Sequence, residues 1–155
     1  MTSFEHPSLL RLIGSVFYDW FILIGVLILA GFIPVTISHY TLGRDAIEGG
    51  FPAVLFWLWN LSIVTLYFVG FWRTKKQTVG MRVWRLHIET DPVEGDNAHA
   101  ISWRQGLIRF VVALPTWGLA LIGILWRYTD AERRSWADRA SQTRLLYTPK
   151  SKKKA

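Results

Sequence analysis

The residues of this chain best suited to chemistry are the few polar ones that interrupt long apolar blocks. Asp19 stands at the head of the first block, Asn60 lies near the middle of the second, and Arg109 opens the third. A charged or amide group beside hydrocarbon is costly unless it is paired, hydrated or neutralised, and such groups often mark proton or ion pathways. The pattern therefore indicates either a binding site for a proton or cation, or contacts that lock helices together.

Asp19 needs a partner, and the sequence offers two basic candidates. Arg11 lies eight residues earlier, roughly 12 Å along a helix axis and about 80° around it, so the two do not pair on one straight helix. We predict Arg109 as the partner, because both residues head their apolar segments and could meet at one depth. Three interpretations stay open: a static buried pair, a carboxylate whose proton or cation occupancy changes in a transport cycle, and a hydrated Asp19 without a special role.

Metal and enzyme chemistry find little support in the sequence. The chain has no cysteine, and its four histidines (His6, His39, His87 and His99) share no helical or hairpin spacing for a common metal ion. It also has no Gly-rich phosphate loop and no nucleophile elbow. We therefore expect no enzyme activity, no cofactor and no metal site.

Two uncharged runs are long enough to form membrane-spanning helices. The first block covers about residues 14–38, and the second runs from Phe51 to Trp72, twenty-two residues without a charge. At about 1.5 Å per residue, such runs match a hydrocarbon core of about 30 Å. Pro34 is expected to kink or end the first helix. Asn60, inside the second, is expected to hydrogen-bond between helices, with a role in transport as the alternative.

The third apolar segment, about residues 107–126, is short and is interrupted by Pro115 and Gly118. It could span the membrane, or it could form two half-helices that return to the side from which they entered. Residues 83–88 alternate apolar with polar side chains and could pair with residues 144–148 as a small cytoplasmic sheet. The predicted fold class is an all-α integral membrane protein with two transmembrane helices, this third segment and the β-pairing.

Basic residues gather on both sides of the third segment. Residues 73–106 carry six basic and four acidic residues, and residues 127–155 carry nine basic and three acidic ones, in a chain of net charge +7. Because positive charge beside a span favours the cytoplasm, both stretches are expected there, which favours a re-entrant third segment over three full spans. The charge predicts contact with the lipid bilayer and anionic lipid headgroups, and no nucleic acid, since no nucleic-acid motif is present.

Four short segments occur in a recognisable order: Arg-Leu-Ile-Gly-Ser-Val-Phe-Tyr-Asp, Gln-Thr-Val-Gly, Ser-Trp-Arg-Gln and Asp-Arg-Ala-Ser-Gln-Thr. Together they resemble the RDD family of small bacterial inner-membrane proteins, named for an arginine and two aspartates. At Ala137 and Gln142 the chain departs from the family, whose members often have histidine and glycine there. The turn at Gln77, Thr78 and Gly80 follows the basic residues Arg73, Lys75 and Lys76. It is predicted to be a tight bend that requires glycine, or a contact with a headgroup or substrate. The matching family positions are Arg11, Asp19, Gln77, Thr78, Gly80, Asp138, Ser141 and Thr143.

The resemblance implies a single membrane domain, residues 1–148, followed by a basic tail, residues 149–155. It implies a multi-pass protein of the bacterial inner membrane, with a cytoplasmic N-terminus, and a role in transport of a small solute or cation. Two or three helices are few to enclose a pathway, so a homo-oligomer is expected. The alternative function is a non-catalytic membrane scaffold or assembly factor that docks partners on a basic cytoplasmic face. Asp138, outside any span, is expected to cap a helix or to hold Arg82 or Arg139.

Overall fold

Two long apolar helices form the body of the structure. The computed structural model describes residues 6–43, 49–90, 100–118, 126–130 and 133–149. Helix α1 spans Leu9–Leu42 and helix α2 spans Gly50–Lys75. Among the described residues, these two helices are long and apolar enough to cross a membrane. Both helices predicted from the uncharged runs are confirmed, and both extend beyond the predicted bounds.

Both helices end at a residue in the left-handed backbone conformation. Gly43 (φ 61°) closes α1 and donates its N–H to His39, and Lys76 (φ 56°) closes α2 and donates its N–H to Trp72. These caps satisfy carbonyls that the last turn leaves without a helical partner. Pro34 lies inside α1 and does not end it, because an apolar span tolerates proline when neighbouring groups take up the freed backbone carbonyl.

A tryptophan hydrogen bond joins the middles of α1 and α2. The indole Nε1 of Trp59 donates to the carbonyl of Ala30 over 3.0 Å. The outer faces of the two helices expose large apolar side chains, among them Phe21, Ile28 and Leu58. A continuous apolar surface of this kind is typical of a protein that contacts lipid.

A small antiparallel sheet forms between two distant parts of the chain. After the short helix α3, Val79–Val83, strand β1 covers Leu86–Thr90 and pairs with strand β2, Thr143–Tyr147. The sequence patterns had placed such strands at residues 83–88 and 144–148. The first strand begins later than the alternation suggested, because residues up to Val83 form α3 instead.

The sheet is fastened to the end of the helix pair where α1 begins and α2 ends. The N–H of Ile88 donates to the carbonyl of Lys76 over 2.7 Å. The guanidinium of Arg11 lies 4.2 Å above the ring of Tyr147, a cation–π contact. The sheet therefore lies beside the first turns of α1 and the last turn of α2.

Helix α4 spans Trp103–Gly118 and contains Pro115. It begins at a capping box: Ser102 Oγ accepts from the N–H of Gln105 over 3.2 Å, and Gln105 Oε1 accepts from the N–H of Ser102 over 3.0 Å. The guanidinium of Arg73 lies 5.2 Å from the ring of Trp103. Helix α4 therefore starts at the same end of the helix pair as the sheet.

The chain after α4 returns to the sheet. Of the predicted segment 107–126, residues 119–125 lie outside the described residues, as do residues 150–155 of the predicted tail. A 3₁₀ turn covers Trp126–Tyr128, and helix α5 covers Trp136–Ser141. We call α3, the two strands, the 3₁₀ turn and α5 together the cap.

The buried core lies where the cap and α4 meet the two long helices. Val69, Leu86, Ile88 and Phe110 are each at most 4% exposed. Gly106 allows the close approach of α4 to α2, since a Cβ there would lie 2.8 Å from a methyl of Val69. The polar groups of the candidate site lie inside this buried region.

Candidate functional site

Asp19 is buried in α1 and is held by three neutral donors. It is 4% exposed. Its Oδ1 accepts from the hydroxyl of Tyr67 over 2.7 Å and from the N–H of Gly80 over 2.9 Å, and its Oδ2 accepts from the hydroxyl of Thr78 over 2.5 Å. Asp19 thus connects α1 to both α2 and α3.

The donors of α3 are positioned by the local sequence. Thr78 is the N-cap of α3, and its hydroxyl oxygen accepts from the N–H of Met81 over 3.2 Å. Gly80 rests directly on α1, because a Cβ there would lie 2.2 Å from the carbonyl oxygen of Ser15 and 2.8 Å from the carboxyl carbon of Asp19. Glycine is required by this close approach and not by a bend, which corrects the reason given from the sequence.

Arg109 and Asp138 form a buried ion pair. Nη1 of Arg109 lies 2.6 Å from Oδ1 of Asp138 and 2.6 Å from the hydroxyl oxygen of Thr143. The other carboxyl oxygen, Oδ2, accepts from the N–H of Ser135 over 2.9 Å, which completes a capping box on α5. The pair therefore joins α4 to α5 and to β2.

The environment of Asp138 stabilises its charge. Burial alone would raise the pKa of Asp138, but the charges of Arg109 and Arg127 and the N–H of Ser135 outweigh it, and the pKa is lowered from its ordinary value. Asp138 is 1% exposed, so removal of one partner would leave an uncompensated buried charge. Asp138 thus acts as a cap, as predicted, but it holds Arg109 and not Arg82 or Arg139.

The predicted ion pair between Asp19 and Arg109 is wrong. Both residues are described, and Arg109 donates to Asp138 while the oxygens of Asp19 accept from Tyr67, Thr78 and Gly80. The prediction failed because spacing along the chain cannot reveal that α5 folds back onto α4. The two aspartates at family positions, Asp19 and Asp138, therefore lie in two separate clusters, and Arg11 stacks on Tyr147 outside both.

The two clusters face one cavity of about 100 Å³. Asp19 and Thr78 line it, together with Arg109 and Arg127. The remaining wall is mostly apolar, with Leu12, Ser15, Val16, Phe68, Trp72, Met81, Ile88, Ala113, Ser135, Ala137 and Leu145. Because a water molecule in the liquid occupies about 30 Å³, the cavity has room for a few waters or one small solute.

Sequence reasoning missed two residues of this region. Arg127 is 4% exposed, its Nη2 donates to the carbonyl of Leu145 over 2.6 Å, and burial lowers its pKa. In the sequence it resembles an ordinary basic residue that flanks an apolar segment. Tyr67 looks like one more interfacial aromatic residue, and its polar hydroxyl inside an apolar run was the one available signal.

Other predicted residues have structural contacts. Arg11 stacks on Tyr147 as described above. The Nδ2 of Asn60 donates to the carbonyl of Phe56 in its own helix over 2.8 Å, so the interhelical bond expected of Asn60 is made by Trp59 instead. Gln77 is half-buried in the turn between α2 and α3.

The two departures from the family pattern lie in and beside α5. Gln142 closes α5 with φ 52°, a left-handed conformation in which glycine avoids the strain of a side chain. Ala137 is a buried residue in the wall of the cavity. Near these positions the hydroxyl oxygens of Ser141 and Thr143 lie 2.7 Å apart, and that of Ser141 also donates to the carbonyl of Ala137 over 2.6 Å.

The described part of the chain holds no group of three or more His, Cys, Asp or Glu residues that could bind a metal ion. Its chemistry lies instead in buried carboxylates and guanidinium groups beside a small cavity. Two apolar helices of spanning length, capped at one end by a small α/β layer with such groups inside it, define a class of helical membrane protein.

Comparison with known proteins places the chain within this class. The RDD family matches residues 7–142, nearly the whole chain. The chain belongs to the RDD family. No significant match was found among the curated proteins or among the solved structures.

Proposed function

We propose that this protein takes part in the transport of a small solute or cation and that Asp19 is the group that binds it. The single observation that carries the proposal is the state of this carboxylate. Asp19 lies in a helix of spanning length, borders the cavity, and has no ion-pair partner among the described residues. A buried carboxylate held only by neutral donors is able to take up a proton or a cation.

The cavity suits a binding step that needs no covalent chemistry. Asp19 supplies a negative charge, and Arg109 and Arg127 supply positive charge across the same space. The ion pair with Asp138 holds Arg109 in place. The carboxylate of Asp19 is therefore the group that can bind and release a proton or cation. The proposed function therefore involves no enzyme activity.

Flux measurements in proteoliposomes test the proposal. Purified protein is reconstituted, a Na⁺ or K⁺ gradient is imposed, and a pH-sensitive dye inside the vesicles reports ion exchange. We expect Asp19→Asn to abolish the flux. Glu89→Gln, which neutralises a carboxylate of the sheet, is expected to keep it.

A matched variant separates charge from packing. Thr78→Val removes a donor to Asp19 but keeps the carboxylate, so flux should persist in Thr78→Val while it is lost in Asp19→Asn. Equal loss in the two variants, with equally lowered unfolding temperatures, would mean that a loosened cap is responsible. Unchanged flux in Asp19→Asn would also overturn the proposal.

We further propose that the third apolar segment is re-entrant and that the cap lies in the cytoplasm of a bacterial cell, at its inner membrane, together with the N-terminus. The contacts at the two ends of the segment support this. Its start lies against α2, where Arg73 stacks on Trp103, and its far end lies against β2, where Arg127 donates to Leu145. The basic stretches at both ends also favour one cytoplasmic side.

An oligomer would complete the pathway. Two long helices leave most of their apolar side chains exposed, and one copy does not surround a path across the membrane. Several copies around a common axis would enclose one. If the protein is a monomer in nanodiscs and still gives full flux in proteoliposomes, this part of the proposal is contradicted.

The alternative function is a scaffold or assembly factor that docks partners on the basic face of the cap. The observation in its favour is the density of exposed basic residues, including Arg82, Arg85 and Arg133. Removal of residues 149–155 together with Lys75→Gln and Lys76→Gln should then remove co-purifying partners. An unchanged set of partners would contradict the scaffold, and intact flux in the same variant would favour transport.

A further inference from the structure

Asn60, near the middle of α2, has hydrogen-bonding capacity that the described part of its own chain does not use. Its Nδ2 donates to the carbonyl of Phe56, four residues earlier in the same helix. The side chain makes no other hydrogen bond with the described residues, so the acceptor oxygen Oδ1 and the second N–H of the amide remain. A polar group without a partner is costly in hydrocarbon. Asn60 therefore indicates a further partner within the membrane.

The side chain of Asn60 lines an open groove between α1 and α2. The groove has a volume of about 580 Å³, which is room for several side chains of a neighbouring helix. Its other lining residues carry no amide, hydroxyl or charge. Gly31 contributes no side chain to it, and Ile28 and Phe32 are 59% and 64% exposed. Asn60 is therefore the one side chain in the groove that can both donate and accept a hydrogen bond.

Neither α1 nor a lipid tail supplies what Asn60 lacks. The residues of α1 that line the groove are apolar, and the hydrogen bond that joins the two helices runs from Trp59 to Ala30 instead. Acyl chains have no hydrogen-bonding groups, so lipid in the groove would leave the amide unsatisfied. The occupant of the groove therefore brings a polar group to the depth of Asn60.

A second copy of this chain meets that requirement by itself. A carboxamide is self-complementary, because its oxygen accepts while its N–H donates. A contact about a two-fold axis brings the same surface of both copies together, and copies inserted in one orientation hold Asn60 at one depth. The two amides can then exchange two hydrogen bonds, in the way that polar side chains join membrane helices.

We propose that two copies of the chain associate through this groove, with Asn60 of each copy hydrogen-bonded to Asn60 of the other. Apolar side chains of each copy then fill the groove of the other copy. The inference goes beyond the oligomer proposed above, which was argued from the need for a pathway and named no surface. It does not depend on the role of Asp19, because Asn60 does not line the cavity beside Asp19.

Association of the full chain in lipid vesicles tests the proposal. The chain has no cysteine, so a donor or acceptor dye can be attached through Tyr40→Cys, an 82% exposed position in the last turn of α1. Energy transfer is followed as the protein is diluted with lipid, which gives the association constant. The test variant is Asn60→Leu. The control is Ser62→Ala, because Ser62 also donates to the carbonyl four residues earlier but lies outside the groove.

We expect the wild-type protein to dimerise and Asn60→Leu to associate about tenfold more weakly, since two hydrogen bonds between helices are lost. Ser62→Ala should stay within about twofold of the wild type. Asn60→Gln, which restores a self-complementary amide, should recover most of the association. A monomeric wild-type protein would overturn the proposal and assign the groove to lipid or to a different protein. Unchanged association in Asn60→Leu, or equal weakening in the control, would also overturn it.

Cross-linking locates the contact without altering Asn60. Ala53 lies seven residues before Asn60, nearly two helical turns, and so on the same face of α2. Ala53→Cys and Ser62→Cys are each treated in vesicles with a short bifunctional maleimide, and covalent dimers are expected from Ala53→Cys. No dimer from Ala53→Cys, or as much dimer from Ser62→Cys, would overturn the proposed interface. Either result leaves the flux test of Asp19 unaffected, so the two proposals can fail separately.

Discussion

Gly80 is the residue at which the contact between α3 and α1 is tightest. A methyl group there would meet the carbonyl oxygen of Ser15 at 2.2 Å, a backbone atom that cannot move aside without shifting α1. We expect Gly80→Ala to lower the free energy of unfolding by about 1–3 kcal/mol, measured by denaturant unfolding in detergent. The matched control is Gly25→Ala in α1, which would meet nothing within 4 Å. Equal effects of the two changes would contradict this account of Gly80.

Gln142 carries a side chain where the backbone favours glycine. Its φ of 52° at the end of α5 is strained for any residue with a Cβ. Gln142→Gly should therefore stabilise the cap by up to about 1 kcal/mol, seen as a higher unfolding midpoint. The same change at Arg139, inside α5, should destabilise it instead. A lower midpoint in Gln142→Gly would mean that the side chain makes a contact worth more than the strain.

Asp138 makes the stability of the cap dependent on pH. Its pKa is lower in the folded protein than in the unfolded chain, chiefly because the charges of Arg109 and Arg127 outweigh the cost of burial. Its contribution is therefore complete above the unfolded pKa, about 4, and is lost as the pH falls through the folded pKa. In unfolding curves between pH 3 and 7, wild-type stability should fall at the acid end, and Asp138→Asn should be less stable at neutral pH with a flatter profile. A parallel profile in the variant would contradict this role.

The partners of Asp19 mark the limit of prediction at the scale of single residues. Its burial followed from an acidic residue in an apolar run, and the family pattern located Thr78 and Gly80. Its actual partners are neutral, and a sequence gives no sign of which hydroxyls and N–H groups meet in space. Arg109 was predicted as the partner because both residues head their apolar segments and could meet at one depth, but Arg109 pairs instead with Asp138, which the capping box of α5 holds.

At the scale of elements, prediction succeeded where a physical requirement governs many residues at once. The absence of charge over twenty-two residues leaves little choice but a helix in hydrocarbon, so α1 and α2 were predictable. The ends of the helices were less predictable: Pro34 was expected to kink or end α1, yet α1 continues to Leu42. The β1–β2 pairing joins residues more than fifty positions apart, and only a weak alternation hinted at it.

The contact between α1 and α2 provides a test at this scale. Trp59 donates to the carbonyl of Ala30, and hydrogen bonds between helices in apolar surroundings average about 0.6 kcal/mol. Trp59→Phe should destabilise the helix pair by about that amount, within a ceiling of about 1.7 kcal/mol. Trp57→Phe on the same helix, where the side chain is 66% exposed, is the control. A larger loss in the control would mean that packing, not the hydrogen bond, determines the effect.

At the scale of the whole molecule, the side of the membrane on which Tyr147 lies decides whether the Asp19 cluster and the Arg109–Asp138 cluster can lie on the same side. If the third segment, about residues 107–126, is re-entrant, the cap is assembled from segments of one compartment. A reporter enzyme fused after Tyr147 should then report the cytoplasm, and one placed between Gly43 and Gly49 should report the opposite side. A periplasmic signal after Tyr147 would restore three full spans. A fusion after Lys75 serves as the cytoplasmic reference.

The pairing of β1 with β2 sets the order in which the protein can be completed. The two apolar helices leave the ribosome first, and β2, Thr143–Tyr147, is synthesised well after α2 ends at Lys75. Until β2 is synthesised, the side chains of Leu86 and Ile88 lack their cover. Arg109 likewise has no contact with Asp138 until α5 is synthesised. Closure of the cap therefore waits for the synthesis of β2, and a chain that stops before Thr143 would leave the side chains of Leu86 and Ile88 uncovered.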